Sequence, residues 1–313
     1  MLREVKFARQ FSMEESTSIS TTETKTTTWV DDVAALFKLR LTLLVVVSAV
    51  LGYFMGTSDP NWPRLLALGF GGILLTGGSN GMNQVLEREF DKLMHRTQNR
   101  PIPTGKMHVR EGMIISLIAG ISGVSILWIF INTASGVLGL LAFFLYVFVY
   151  TPLKRITNLS VFVGAFPGAI PPMLGYVAAT NTYGLEAGLL FAMQFMWQFP
   201  HFWAIAWVAH DDYLRGGYKM LPFNEGRTKK SAYQILLYAL FLIPVSILPW
   251  ALPFDHPMIG NYAALVAVVC GAIMSWYAVK LYRSCEIKDA RRVMFMSFFY
   301  LPIVQLFYVL DKL

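Results

Sequence analysis

Long apolar runs alternate with short polar segments along most of this chain. Each run holds about 20 residues, which is the length that an α-helix needs to cross a lipid bilayer. The pattern therefore predicts an all-α, polytopic membrane protein with nine transmembrane helices. The predicted spans cover residues 37–57, 65–86, 112–132, 135–152, 160–181, 186–209, 233–253, 259–282 and 293–311.

The composition excludes an ordinary soluble domain. Hydrophobic residues make up 55% of the chain, charged residues make up only 14%, and the mean hydropathy is +0.51. Soluble domains contain more charge and less apolar surface than this. The lipid bilayer is therefore the predicted environment of the chain.

The basic residues orient the predicted helices. If the N-terminus is cytoplasmic, the cytoplasmic segments hold 24 of the 26 Lys and Arg residues, and Arg64 and Lys312 lie on the other side. Because cytoplasmic loops of membrane proteins are enriched in basic residues, this bias favours a cytoplasmic N-terminus. The net charge of +7 then reflects topology and attraction to anionic lipid, and no nucleic-acid partner is expected.

The first 34 residues differ from the rest. Ser and Thr dominate residues 16–28, which are too polar to build a core. Residues 1–34 are therefore predicted to form a disordered cytoplasmic tail, and residues 35–313 are predicted to form the transmembrane domain. Basic residues near the start faintly match an organellar presequence, but three nearby glutamates argue against one. A bacterial cell (inner) membrane is the predicted location, and the mitochondrial inner membrane is the alternative.

The end of the second predicted helix contains a row of oxygen-bearing side chains. Asn83, Glu87 and Asp91 are spaced four residues apart, so they share one face of a helix, whereas Glu89 points away. The row extends over about 12 Å, and carboxylate and amide oxygens are ligands that Mg²⁺ accepts. The spacing predicts a magnesium site that could in turn hold a diphosphate.

A second acidic cluster, Asp211 and Asp212, lies at the end of the sixth predicted helix. Two four-helix halves followed by a ninth helix would bring the ends of helices two and six together around a central cavity. Both clusters are therefore predicted to bind the same metal ions. The sequence leaves open which of Asp211 and Asp212 faces the cavity.

Several motifs match a known family. The first three are Asn83-x3-Glu87-x3-Asp91, Met94-x-Arg96-Thr97-x2-Arg100-Pro101 and Tyr150-Thr151-Pro152-Leu153-Lys154-Arg155-x-Thr157. From about residue 35 onward the chain resembles the UbiA-type intramembrane prenyltransferases, and three further segments narrow the match to members that act on heme. These are Gly164-x3-Gly168-Ala169-x-Pro171-Pro172-x2-Gly175-Tyr176, Trp197-Gln198-x-Pro200-His201-Phe202-Trp203-x2-Ala206-Trp207 and Asp212-Tyr213-x3-Gly217-x2-Met220-Leu221-Pro222. Glu87 stands where the family usually has Asp.

The resemblance implies a reaction. A farnesyl group would pass from farnesyl diphosphate to a vinyl group of heme B, and with water the products would be heme O and diphosphate. Mg²⁺ would assist, because ionising an allylic diphosphate requires neutralisation of the leaving group. A heme A synthase is then expected as a downstream partner.

Four basic residues follow helix ends on the side of the acidic clusters, and they are candidates for direct contact with the diphosphate. They are Arg96, Arg100, Lys154 and Arg155. In most membrane proteins such residues only anchor helix ends, so that alternative stays open. Lys154 also lies one helical turn after Tyr150, which favours a functional role. The predicted catalytic set is Asn83, Glu87, Asp91, Lys154 and Asp212.

His201 is an ionisable residue within the sixth predicted helix. If that helix continues to Asp212, His201 and Asp212 lie on one face, with Trp197 and Gln198 beside them. His201, Trp197 and Gln198 are candidates for heme binding, because intramembrane ionisable residues usually mark function. An iron ligand, a propionate contact and a hydrogen bond between helices all remain open for His201.

The fifth predicted helix contains the pair Pro171-Pro172. Proline lacks the backbone N–H that a helix needs, so the pair is predicted to interrupt this helix. Such a break is tolerated in a membrane only beside protein or a cavity.

Other classes of protein are also open. A prenyltransferase for another aromatic acceptor, such as a quinone precursor or a chlorophyll-type ring, is the alternative within the enzymes. A secondary transporter would place ionisable residues near mid-bilayer, whereas the Asp, Glu, Lys and Arg residues of this chain collect at helix ends. A heme-binding scaffold without catalysis would explain His201 but not two acidic clusters.

Overall fold

The computed structural model describes residues 28–252 and 257–313, and these residues are almost entirely helical. The helices are α1 (Trp29–Leu36), α2 (Leu39–Gly56), α3 (Trp62–Asp91), α4 (Val109–Phe130), α5 (Thr133–Leu153), α6 (Ser160–Thr180), α7 (Leu185–Val208), α8 (His210–Arg215), α9 (Lys229–Ala251), α10 (Asn261–Ser284) and α11 (Ile287–Leu310). The stretch Leu145–Tyr150 of α5 is wound as a π-helix. Every predicted span overlaps one of α2–α7 or α9–α11.

Polar caps and left-handed residues set several of the helix ends. Asn61, Asn132 and Thr228 precede α3, α5 and α9, and each side chain accepts a hydrogen bond from the backbone N–H three residues on, at 3.0, 2.7 and 3.3 Å. These bonds satisfy donors that a helix start leaves free. Asn181 and Cys285 follow α6 and α10 with φ of 58° and 54°, a conformation that ends a helix.

Eight helices are long and apolar enough to cross a membrane, namely α2–α6 and α9–α11 within the described residues. The protein is therefore an integral membrane protein. α7 has 24 residues, which is sufficient length, but it is not among these eight helices, and it buries the polar residues Gln194, Gln198 and His201. The count of nine spans consequently stays a prediction.

The predicted tail extends too far along the chain, because α1 begins at Trp29 and residues 29–34 are helical. Thr28 and Asp31 cap each other at the start of this helix. The Asp31 N–H donates to Thr28 Oγ1 at 3.2 Å, and the Thr28 N–H donates to Asp31 Oδ2 at 2.9 Å. Leu36, at the other end of α1, is buried. The predicted disorder of residues 1–27 lies outside the described residues.

The membrane helices surround two hydrophobic cores. α2–α6 enclose one core, to which Tyr53, Leu68 and Leu127 belong. α7 and α9–α11 enclose the other, which includes Trp207 and Tyr300. α6 of the first group packs against α7 of the second, and α11 of the second group packs against α2 of the first. These two helix–helix contacts join the groups. This packing brings the loop after α3 next to α8.

The predicted interruption of the fifth helix is wrong, because α6 runs without a break through Pro171 and Pro172. Pro172 has no N–H, so it leaves the carbonyl of Gly168 without its helical partner. Gln194 Nε2 from α7 donates to that carbonyl at 2.7 Å. A side chain of the neighbouring helix thus replaces the missing bond, and α6 continues.

Gln194 also joins two further groups deep in the bundle. Its Oε1 accepts hydrogen bonds from Ser48 Oγ of α2 at 2.7 Å and from Gln305 Nε2 of α11 at 2.8 Å. Gln305 Nε2 contacts Ser48 Oγ as well, at 2.9 Å. Buried polar groups between membrane helices are satisfied in this way by one another. The polar residues of α7 therefore serve the contact between the two groups of helices.

α2 and α6 approach so closely that glycine is required where they touch. A Cβ built on Gly52 would lie 2.1 Å from the carbonyl oxygen of Pro172, and one built on Gly175 would lie 1.8 Å from that of Ala49. Close approach of this kind is the usual role of glycine between membrane helices. Gly69 in α3, by contrast, has open space where its Cβ would lie.

Gly175→Val should destabilise the protein, because the valine would force α2 and α6 apart. Overpacking costs about 1–3 kcal/mol in protein cores, and sometimes more. The melting temperature of the purified protein in detergent micelles should fall by roughly 5 °C or more. Gly69→Val is the matched control and should melt with the wild type. A Gly175→Val protein that also melts with the wild type would mean that the helices separate without cost.

Candidate active site

The row of oxygen ligands lies at the C-terminal end of α3. This helix has 30 residues and is about 45 Å long, so it extends past the hydrocarbon core of a bilayer. Asn83, Glu87 and Asp91 are buried there, with exposed fractions of 1%, 6% and 0%, whereas Glu89 is exposed. The three buried side chains share the inward face of α3, which we call the acidic face.

Each carboxylate on the acidic face has its own cation. Lys154 Nζ, at the end of α5, lies 2.6 Å from Glu87 Oε1. Arg100 Nη1, from the loop after α3, lies 2.6 Å from Asp91 Oδ2. Both carboxylates are nearly excluded from solvent, so removing either cation would leave a buried charge unpaired, at a cost of about 3–5 kcal/mol. The structure thus brings two of the predicted diphosphate cations to the predicted metal ligands.

Asn83 is held by α5 and by the connection between α1 and α2. Its Nδ2 donates to Thr151 Oγ1 at 3.2 Å, and its Oδ1 accepts from Lys38 Nζ at 3.2 Å. Thr151 directly follows the π-helical stretch of α5, and its Oγ1 donates to the carbonyl of Tyr146 at 2.8 Å. π-helical turns within α-helices are frequent at functional sites. Helical periodicity in the sequence predicts neither the π-helical turn nor the hydrogen bond between Thr151 and Asn83.

Lys38 is a residue of this site that sequence reasoning missed. It lies between α1 and α2 with a left-handed backbone, φ 48°, which is uncommon for a residue other than glycine. Burial lowers the pKa of Lys38, and the nearby Arg100 and Lys154 lower this pKa further. The sequence signal was a lysine directly before the first apolar run. The basic bias of cytoplasmic segments explains such a lysine equally well.

Asp212 does not lie on a continuation of α7, so the continuous face from His201 to Asp212 is wrong. α7 ends at Val208, and Asp212 belongs to the short helix α8. Its Oδ1 accepts a hydrogen bond from the backbone N–H of His95 at 2.8 Å, and its Oδ2 accepts one from the N–H of Arg96 at 3.2 Å. Asp212 therefore holds the loop that follows α3.

Asp211 points away from this loop. Its side chain is 70% exposed and lies 3.1 Å from Arg227. Arg227 Nε also donates to the carbonyl of Trp207 at 2.8 Å, which satisfies the last turn of α7 and helps to end this helix. In the part of the chain that the structure describes, Asp211 and Asp212 form no metal cluster with the acidic face. The predicted metal site that Asp211 and Asp212 share with Glu87 stays a prediction.

The other two predicted diphosphate cations rest on aromatic rings. The Arg155 guanidinium lies 3.7 Å from the ring centre of Phe90. Arg96 lies 5.2 Å from the ring centre of Tyr213 and donates to its hydroxyl at 3.3 Å. Cation–π contacts of this kind attract a guanidinium without an anionic partner. Arg96 and Arg155 thus lie beside aromatic groups, unlike Lys154 and Arg100 on the acidic face.

The three candidates for heme binding contact neighbouring helices. His201 Nδ1 lies 2.7 Å from Ser297 Oγ, and Trp197 Nε1 donates to the carbonyl of Ser297 at 2.9 Å, so both contact α11. Gln198 Nε2 donates to the carbonyl of Ala165 in α6 at 2.9 Å. His201 thus makes a contact between helices, and its predicted role in heme binding stays a prediction.

The donor set of the acidic face fits a magnesium ion. Asp91 Oδ1 is buried and has no hydrogen-bond partner among the described residues. The same residues contain no group of three His, Cys, Asp or Glu side chains that could hold a metal alone. Mg²⁺ usually takes one or two carboxylates and completes its octahedron with water and substrate phosphates. Glu87 and Asp91, with the amide oxygen of Asn83, match this pattern.

Comparison with known proteins identifies the class of this chain. Residues 45–300 match the family described as the UbiA prenyltransferase family, and the chain therefore belongs to that family. Among curated relatives, the protoheme IX farnesyltransferase of Flavobacterium psychrophilum is 46% identical over 90% of this chain and 94% of its own length. That of Cytophaga hutchinsonii is 43% identical over 89% and 96%.

Solved structures share the fold. A structure of digeranylgeranylglyceryl phosphate synthase matches with a TM-score of 0.73 and 17% identity, over 90% of this chain and 98% of its own. A UbiA homologue from Archaeoglobus fulgidus bound to GPP and Mg²⁺ matches with a TM-score of 0.65 and 12% identity, over 89% and 99%. At these identities the similarity establishes the fold alone.

Asp212→Asn should loosen the loop after α3, because the acceptor of two backbone N–H groups loses its charge. Hydrogen bonds to charged groups contribute about 1.5–3 kcal/mol. Trypsin cleavage after Arg96 in the detergent-solubilised protein should become roughly tenfold faster. The matched control is Asp211→Asn, which alters an exposed carboxylate one residue away and should leave the rate unchanged. Equal rates in all three proteins would show that Asp212 does not hold the loop.

Proposed function

We propose that this protein transfers a farnesyl group from farnesyl diphosphate to a vinyl group of heme B and, with water, forms heme O and diphosphate. The observation that supports this type of reaction is the acidic face, where Glu87 and Asp91 are each paired at 2.6 Å with a cation from a different connection. The choice of acceptor rests on the bacterial relatives, which are protoheme IX farnesyltransferases.

The proposed metal ligands are Asn83, Glu87 and Asp91. Bound Mg²⁺ would neutralise charge on the diphosphate and so make it a better leaving group. A protein of the same fold that binds GPP together with Mg²⁺ supports this assignment. Asp212 is proposed to act through the loop after α3, as a positioning residue for the cations of that loop.

Lys154 and Arg100 are proposed to change partners when the substrate binds. Their carboxylate partners would turn to the metal, which frees both cations for phosphate oxygens. Lys38 Nζ, which lies 3.2 Å from Asn83 Oδ1, supplies a third cation beside them. Together these donors would hold the diphosphate while its negative charge grows. Arg96 and Arg155 would contact the substrate separately from Lys154, Arg100 and Lys38.

The proposed bond changes balance without any oxidant or reductant. The electron pair of the bond between farnesyl C1 and oxygen leaves with the diphosphate, and the π electrons of the heme vinyl group form the new bond to C1. A water oxygen then adds to the remaining vinyl carbon and releases a proton. The ring of Tyr150, with its centre 4.8 Å from Lys154 Nζ, is a candidate to stabilise the allylic cation.

The proposed orientation places the acidic face at the cytoplasmic surface of a bacterial inner membrane, since 24 of the 26 basic residues then lie on that side. Farnesyl diphosphate would reach the site from that surface, and heme B would reach it from the bilayer. Heme O released into the bilayer would be available to a membrane enzyme that uses it, such as a heme A synthase.

Membranes that contain the wild-type protein should convert heme B and farnesyl diphosphate into heme O. Asp91→Asn should lower this turnover by about a hundredfold or more, because it removes a charged metal ligand. Pigment extraction followed by mass spectrometry measures the product. Asp289→Asn is the matched control, since Asp289 is also buried and paired with an arginine, but it lies in α11. No heavier heme from the wild type would contradict the proposed acceptor.

Glu87→Gln and Glu89→Gln separate the inward and outward sides of α3. Glu87→Gln should raise the Mg²⁺ concentration for half-maximal turnover by roughly tenfold, because a neutral amide binds a hard cation less well than a carboxylate. Glu89→Gln should leave this concentration unchanged, since Glu89 is exposed and pairs with Lys92. Titration of turnover with Mg²⁺ makes the comparison. Equal effects of both substitutions would remove Glu87 from the metal site.

A further inference from the structure

Tyr218 lies in the loop between α8 and α9. The loop turns at Gly217, whose φ of 71° suits glycine. The Tyr218 N–H then donates to the carbonyl of Tyr213 at 2.9 Å, and the Lys219 N–H donates to the carbonyl of Lys154 at 3.3 Å. The backbone on both sides of Tyr218 is thereby fixed, on one side to α8 and on the other to the end of α5.

The side chain of Tyr218 lies beside the acidic face. It is 3% exposed, its ring packs edge-on against Phe90 with 6.2 Å between centres, and Lys154 Nζ lies 5.8 Å from its ring centre. Burial raises the pKa of this phenol, and the carboxylates of Glu87 and Asp91 raise it further. A phenol is a neutral hydrogen-bond donor at neutral pH, and this one lies beside the acidic face.

This donor has no partner of normal geometry. The Tyr218 hydroxyl is buried and forms no hydrogen bond of normal geometry within the described residues, and the Glu87 carboxylate is the acceptor that lies nearby. Buried polar groups are nearly always paired, and an unpaired donor is costly. A diphosphate held by Lys154 and Arg100 would bring several acceptor oxygens into the same space.

We propose that the Tyr218 hydroxyl donates a hydrogen bond to a phosphate oxygen of the prenyl diphosphate. The inference rests on the proposed function, because it concerns the same substrate. As the bond between C1 and oxygen breaks, charge builds up on the diphosphate, and a fixed donor then binds it more strongly. Tyr218 is thus a substrate-binding residue that the α8–α9 loop contributes to a site built on α3.

Tyr218→Phe removes the hydroxyl and keeps the ring. The probe is inorganic pyrophosphate with Mg²⁺, titrated into the purified full-length protein by calorimetry. The variant should bind pyrophosphate about tenfold more weakly than the wild type, and kcat for farnesyl transfer should fall by about tenfold while KM for heme B is unchanged. Tyr183→Phe is the matched control and should bind pyrophosphate like the wild type, because the Tyr183 hydroxyl donates to the carbonyl of Ala134 at the start of α5.

The melting temperature provides a second measurement. Because the hydroxyl forms no hydrogen bond of normal geometry within the protein, Tyr218→Phe should melt at or above the wild-type temperature. A clear fall would assign the hydroxyl a structural partner and overturn the inference, as would an unchanged affinity for pyrophosphate. Binding that depends on Tyr218 in a protein that does not convert heme B would overturn the proposed acceptor and leave this inference standing. A wild type that binds no pyrophosphate would overturn both.

Discussion

Two carboxylates buried at the end of a membrane helix constrain the rest of this structure. Glu87 and Asp91 can be charged in the interior only if opposite charges lie against them, because an unpaired buried carboxylate is strongly disfavoured. Lys154 and Arg100 meet this requirement, and each comes from a different connection between helices. These connections must therefore fold over the end of α3 instead of extending into water. The candidate site therefore forms because Lys154 and Arg100 must neutralise the charges of Glu87 and Asp91.

The same rule governs the uncharged polar groups of the bundle. Gln194 donates a hydrogen bond to the carbonyl that Pro172 leaves free, and Gln198 donates one to the carbonyl of Ala165, one turn earlier in α6. His201 and Trp197 are satisfied in turn by α11. A stripe of polar residues in a membrane helix is thus explained here by contacts between helices. The unusual backbone conformations, namely the left-handed Lys38 and the π-helical turn of α5, lie at one end of the bundle.

The positions of the helices could be predicted from the sequence, because a long apolar run in a bilayer forms a helix. The acidic face could be predicted as well, because helical spacing determines which residues share one side of a helix. Contacts set by distant residues could not be predicted in this way. The extension of α7 to Asp212 failed because Arg227, from a later loop, satisfies the last turn of α7. Lys38 reaches Asn83 through a left-handed backbone that periodicity does not reveal.

The positions of the paired residues along the chain have a consequence for how the protein is made. Asp91 meets Arg100 nine residues later. Lys154, the partner of Glu87, is synthesised only after two further helices, α4 and α5. Asp212, which binds the loop that contains Arg100, is synthesised only after α6 and α7 as well. Chains grow from the N-terminus, so the acidic helix end is made before its counter-charges. A chain that stops before α8 keeps a loose loop beside a charged helix end, and this distinguishes an unfinished molecule from a complete one.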